Sequence, residues 1–214
     1  MENFSKKQIH YSLFGNLLGS SYLRKNITTY HWIESKNKKD YIEWLEKIYK
    51  DWGLKTISKY NLGSYSKVSC KLKTNRHLEF KRMFNNENKK IFSNYVSKRI
   101  SVFGLLLWYL DDGILNVHIK TDGSVSRYAL LSTEKFSYNC HLKIQNMFKE
   151  RFNIDVKIYT SKNKKFYIYF NAINFRLFYD LVRPYINNIP KSLYYKFNMK
   201  YNSKNIDLLN YNLV

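Results

Sequence analysis

The sequence is poor in the residues that break or staple a chain: of 214 residues, 2 are proline, 7 glycine and 2 cysteine. So little Pro and Gly argues against long disordered linkers, despite the many Lys and Asn. Cys70 and Cys140 form neither a disulfide framework nor a metal-ligand spacing, and read as small buried hydrophobes in a reducing compartment. The N-terminal stretch MENFSKKQIHYS lacks the apolar segment of a secretory signal, and no apolar run is long enough to span a bilayer. Negative charge is also scarce. Against 37 Lys+Arg stand 16 Asp+Glu, a formal +21 distributed along the whole chain. Such an excess repels itself in a compact body and calls for a polyanion, nucleic-acid phosphate ahead of an anionic membrane surface. No basic amphipathic helix suited to a membrane stands out.

What is present is apolar and aromatic. Hydrophobic residues make up 44% and aromatics 18%, with 20 Tyr and 14 Phe, enough to bury one good core or two small ones. The most distinctive stretch is SVFGLLLWYLDDGIL, residues 101–115, where a solid apolar run ends in Asp111, Asp112 and Gly113. It reads as a buried helix with Gly104 open to close packing. Two carboxylates on its last turn oppose the helix dipole and need a cation, for which a divalent metal is the natural choice. Taken alone, Asp-Asp-Gly reads better as a polar turn after a core helix.

In chain order, a helix closing on Gly19 carries Leu13, Phe14, Leu17 and Leu18 at helical spacing. Strands over 21–24 and 28–34 suit a hairpin; a surface helix fills 39–52 through Tyr41, Ile42, Leu45 and Ile48. Strands at 55–60 and 67–73 follow, joined by an Asn-Leu-Gly-Ser turn, and then a helix over about 77–84 capped by Asn75. The order then repeats: helix 103–112, strands 114–119 and 128–132 around a turn at 121–124, helix 137–152, strands 155–160 and 166–170, and helix 174–183 ended by Pro184. KLKTNRHLEFKRMF at 71–84 lies opposite YFNAINFRLFYDLV at 169–182. The chain is thus an internal duplication. The expected class is α+β: two pseudo-symmetric αββαββα units, residues 1–97 and 98–200, forming a saddle with the two apolar helices packed at its axis, and a tail at 201–214.

These residues carry a family resemblance. LFGNLLGSS at 13–21 and LLLWYLDDG at 105–113 resemble the paired nine-residue motifs of single-chain LAGLIDADG homing endonucleases and the intron maturases of the same family, the first motif being degenerate. The resemblance implies a monomer with duplex DNA as partner, and structured RNA as the alternative. It further implies an acid at the eighth position of each motif that binds Mg²⁺ and hydrolyses one strand. The second motif has Asp112 there; the first has Ser20, a neutral hydroxyl and a poor ligand for a hard dication. Cleavage is therefore expected to be weakened, limited to nicking, or lost, leaving a DNA-binding regulator or an RNA-binding maturase as the other reading. Asp112 and Gly19 are the implied metal contacts, and Lys196 and Lys90 the implied catalytic lysines near the scissile phosphates.

In the implied saddle, the outward positions of the strands read bases in the major groove. Alternation nominates Arg24, Lys25, Tyr30, Trp32, Lys67, Ser69, Lys71, Lys73, Lys120, Arg127, Lys157 and Tyr159 as a pool of nucleic-acid-binding residues, of which about half would face away. The Lys-rich loops at 36–39 and 162–165 would grip phosphates. The compartment implied is the cytoplasm, bacterial or phage-encoded, or an organellar matrix.

Overall fold

The structure, a computed structural model, describes residues 5–19, 21–25, 30–36, 39–51, 56–60, 68–74, 82–83, 90–119 and 121–198. The turn at 61–64, the tail from 201 and all of the expected helix at 77–84 except residues 82–83 lie outside them. Contacts divide the chain into two compact units: Met1–Lys89 with Arg99–Asp111, and Lys90–Lys98 with Asp112–Val214. The helix that opens the second repeat in sequence thus belongs, up to Asp111, to the first unit.

The first unit begins with α1 (Lys6–Leu18), which starts earlier than its apolar spacing suggested because Ser5 and Gln8 form a capping box. The Ser5 hydroxyl accepts from the Gln8 amide at 3.2 Å, and the Ser5 amide donates to Gln8 Oε1 at 2.8 Å. Two orphan donors of the first turn are thereby satisfied. A four-stranded antiparallel sheet follows in the order β1-β2-β4-β3, built from β1 (Tyr22–Lys25), β2 (Tyr30–Lys36), β3 (Thr56–Tyr60) and β4 (Val68–Thr74). Between β2 and β3 runs α2 (Lys39–Asp51), which buries Tyr41, Ile42, Leu45, Ile48 and Tyr49 at the anticipated three- and four-residue steps.

A single turn, α3 (Asn94–Ser97), leads into the motif helix α4 (Val102–Asp112). The turn was not anticipated: only Ser93 marks it, its hydroxyl accepting from the Val96 amide at 3.4 Å. In α4 every residue from Phe103 to Leu110 is buried.

The second unit repeats the sheet order as β5-β6-β8-β7, with β5 (Gly113–Ile119), β6 (Val125–Leu131), β7 (Lys157–Thr160) and β8 (Phe166–Phe170). Equal topology in the two sheets is the duplication realised. β6 begins three residues before the expected start, because the ladder from Gly113↔Leu131 continues unbroken to Ile119↔Val125. Helices α5 (Tyr138–Phe152) and α6 (Ala172–Ile186) supply Phe148 and Phe178, which pack with Phe170 of β8 at ring separations of 5.3 and 5.4 Å. Each such buried ring contributes roughly 1.5–3 kcal/mol through removal from water. Pro184 does not end α6, contrary to expectation; the helix runs on to Ile186. Buried Val182 and Ile186 anchor it on both sides of the proline, and so near the end only one helical hydrogen bond is forgone. A 3₁₀ helix, Lys191–Phe197, closes the described chain.

Candidate functional site

The two motif helices touch through their backbones. A Cβ added at Gly15 of α1 would overlap the Gly104 carbonyl oxygen of α4 and lie 2.8 Å from the Gly104 Cα. No side chain fits there, so the two glycines let the helices approach as closely as polypeptide allows. A polar chain runs alongside. The Gly104 amide donates to Ser101 Oγ at 3.0 Å, Ser101 and Ser12 hydroxyls meet at 2.7 Å, and Ser12 donates to the Gln8 carbonyl at 2.8 Å. Since Ser12 has one proton and spends it on Gln8, Ser101 must be the donor to Ser12.

At the far end of α4 the two carboxylates separate in role. Asp111 Oδ1 accepts from the Tyr41 hydroxyl of α2 at 2.8 Å. Its other oxygen lies so close to Gly19 that a Cβ there would overlap it, and that Cβ would stand 2.7 Å from the Asp111 Cβ. Asp111 therefore ties α4 to α2 and to the end of α1, and Gly19 is glycine because Asp111 occupies its side-chain space.

Asp112 is held by the second unit. Its carbonyl accepts from the Ser132 amide at 2.9 Å, and its Oδ2 lies 3.0 Å from Lys135 Nζ. On the next residue, the Gly113 carbonyl accepts from Lys196 Nζ at 2.9 Å. Lys196 is only 7% exposed, which is exceptional for a lysine and demands such a partner. The 3₁₀ helix aims it: Leu193 and Lys196, three residues apart, lie on one side of that helix, and Leu193 and Phe197 anchor it in the core.

The second sheet has two unlike faces. Ala129, Leu131, Ile168 and Phe170 are buried in one alternate set of the ladder. The other set carries Asn116, His118, Ser126, Lys157 and Tyr159, all half-buried or exposed.

Sequence comparison identifies relatives of this arrangement. The LAGLIDADG DNA endonuclease family matches residues 11–178. The chain belongs to the LAGLIDADG DNA endonuclease family. "Probable intron-encoded endonuclease 1" of Wickerhamomyces canadensis is 29% identical over 198 residues, 86% of this chain and 81% of that protein. Among solved structures, the homing endonuclease I-WcaI bound to its DNA recognition sequence is similar with a TM-score of 0.69 at 22% identity, over 94% of this chain and 90% of that one. The N-terminal LAGLIDADG domain of DUF199/WhiA is similar at 0.53 and 13% identity, covering 85% and 84%.

Within the LAGLIDADG framework the nominated residues fall as follows. Asp112 and Lys196 meet around Gly113, while Lys90 is half-buried in the second unit. Ser20, Lys67 and Lys120 lie outside the described residues. Lys157 and Tyr159 sit on the exposed face of the second sheet, but Arg127, opposite Val117, belongs to the alternate set that includes Ala129 and Leu131. In the first sheet the ladder pairs Arg24 with His31, Lys25 with Tyr30, Trp32 with Leu72, Ser69 with Ser35, Lys71 with Ile33 and Lys73 with His31. Sequence reasoning missed Lys135 altogether. Its partner is 23 residues away, at the other end of the β5–β6 hairpin, and nothing local marks it. Among the described residues no helix is long and apolar enough to cross a membrane.

Proposed function

We propose that this chain binds duplex DNA sequence-specifically and, with Mg²⁺ at Asp112, cuts one strand of it. The observation that carries the reading is the division of labour at the end of α4. Asp111 is committed to Tyr41 and Gly19, whereas Asp112 pairs with the partly exposed Lys135 and is followed by Gly113, whose carbonyl takes the buried ammonium of Lys196.

The donor set suits magnesium in kind. Among the described residues no group of three or more His, Cys, Asp or Glu side chains could hold a metal. Mg²⁺, however, is commonly held by one or two carboxylates, with waters and substrate phosphate oxygens completing its shell. Asp112 supplies one hard, anionic oxygen donor of that type. A magnesium ion bound there would polarise the scissile phosphate and make an attacking water more acidic. Lys196 holds the Gly113 carbonyl, and its charge would favour the build-up of negative charge on a nearby phosphoryl group. Ser20 brings no such charge to the first motif, so one strand rather than two is the expected product. Support for DNA as partner comes from family membership, from the +21 charge, and from the Asn, His, Ser, Lys and Tyr side chains on the open face of the second sheet.

The test begins with selection of bound sequences from a randomised duplex pool, followed by incubation with Mg²⁺ and a denaturing gel. One cut strand is expected, absent with a chelator and absent in Asp112→Asn while binding persists. Selective binding without any cut would move the assignment to a DNA-binding regulator, the reading that Ser20 favours. Tight binding to structured RNA, with no preference among duplexes, would move it to an RNA-binding maturase.

A further inference from the structure

Lys135 is the residue in contact with Asp112 that neither the motifs nor the repeat explain. It sits in the segment between β6 and α5, which is built rather than loose. The Ser132 amide donates to the Asp112 carbonyl at 2.9 Å, and the Phe136 amide to the Thr133 carbonyl at 2.9 Å. Phe136 is buried, and so is Thr133, whose hydroxyl pairs with His141 Nε2 at 2.9 Å; the other ring nitrogen pairs with the Ser137 carbonyl at 2.9 Å. Every fixed point of the segment therefore lies in the core of the second unit. Of the two long side chains it leaves in solvent, Glu134 pairs with Lys165 at 3.7 Å, while Lys135 is delivered to Asp112 Oδ2 at 3.0 Å, with the Asp112 side chain 15% exposed. Lys135 Nζ also lies 5.7 Å from the centre of the Phe136 ring, which further limits its range.

An ammonium at that distance takes up a carboxylate oxygen that a divalent cation would use. We propose that Lys135 is a built-in competitor for the divalent cation at Asp112, and so a positioning residue that sets how tightly this chain holds its metal. The proposal rests on the reading of Asp112 as a metal ligand. An ammonium and a divalent cation held by the same carboxylate repel each other, so Lys135 weakens metal binding at Asp112 even where the metal takes the other oxygen, Oδ1. Lys196 does not compete in the same way, because its bond goes to a backbone carbonyl rather than to the acid.

The experiment is a Mn²⁺ titration of the full-length protein without DNA, read as the loss of the free-ion electron paramagnetic resonance signal. Lys135→Met should bind Mn²⁺ about fivefold more tightly than the wild type, the scale of one partly exposed ion pair, while Lys135→Arg, which keeps the cation, should stay within about twofold. Unchanged affinity in Lys135→Met, with binding still lost in Asp112→Asn, would overturn the role of Lys135 and leave the metal reading standing. If Asp112→Asn binds Mn²⁺ as the wild type does, the metal reading itself fails. A thermal melt of each variant accompanies the titration, and Lys135→Arg showing the same tightening as Lys135→Met would also count against competition by charge.

Discussion

The ends of the two motif helices show how one fold can be duplicated while the residues at corresponding helix ends differ. Both helices contribute a glycine to the same backbone contact, Gly15 in α1 and Gly104 in α4. Both are followed at once by the first strand of a four-stranded sheet of the same order. Yet in sequence α1 is followed by Gly19, Ser20 and Ser21, whereas α4 closes on Asp111 and Asp112 with Gly113 next. Packing constrains the contact face of each helix, because any added atom there displaces a neighbour. Past that contact the halves differ in charge, with two carboxylates on one side and none on the other.

The largest expected effect separates the two neighbouring carboxylates. Asp112→Asn should lower nicking at least about 100-fold, since a metal site contributes several kcal/mol of transition-state stabilisation. Its melting temperature should stay near that of the wild type. Asp111→Asn should do the reverse, retaining nicking while weakening the tie to Tyr41. Equal loss of nicking in both variants would show that the division of labour is not real. Ser20→Asp sharpens the same comparison: a second cut strand would mean that the first half lacks only its acid.

Next comes the glycine contact, where the halves should differ in degree. Gly15→Ala drives a methyl group into backbone atoms of α4 that cannot rotate away. Alanine gains about 1 kcal/mol of helix propensity over glycine, but the overlap forces the helices apart, and a net loss of about 2 kcal/mol or more is expected. Gly104→Ala meets the Tyr11 carbonyl oxygen and Ile100 Cγ1 at 3.0 Å, a tight fit rather than an overlap. It should stay within about 1 kcal/mol of the wild type, because crowding and propensity nearly offset each other. Chemical denaturation of the two variants checks the order; a Gly104→Ala that costs more than Gly15→Ala would contradict the contact described here. A smaller effect, about 1 kcal/mol, is expected for Tyr41→Phe, which removes a hydrogen bond to a half-buried charged group.

These cases also show what the sequence discloses and why it stops. The fold was legible because duplication prints the same pattern twice: periodicity and turn residues placed the helices and paired strands of the second unit, and Leu13, Phe14, Leu17 and Leu18 are buried as their spacing implied. The errors are local. Pro184 read as a stop because the sequence does not show the packing of Val182 and Ile186 that holds the helix across it. β6 began early because ladder pairing with β5, rather than its own composition, sets its length. In the candidate site, Asp112 and Lys196 were nominated through the family resemblance, and the structure brings Lys196 to the carbonyl of Gly113, the residue after Asp112. Lys135 was not, for one lysine among many announces nothing until a hairpin brings it to an acid.

The smallest expected effect lies at the turn between β5 and β6, where Asp122 Oδ1 accepts from the Ser124 amide at 2.8 Å. The Ser124 side chain and amide together hold the Asp122 carboxyl below its usual value of 3.8. Because the folded value is depressed, the contribution is complete above the unfolded value and fades as pH falls through the folded one. The group is fully exposed, so the turn should loosen in acid without unfolding the sheet. Carboxyl titration by NMR should place Asp122 below an unstructured aspartate, and Ser124→Ala should raise it. If the two titrated alike, the bonds at this turn would not persist in solution, and the exposed end of the hairpin would be held by its strand pairing alone, in contrast to the Gly113 end, which Lys196 anchors.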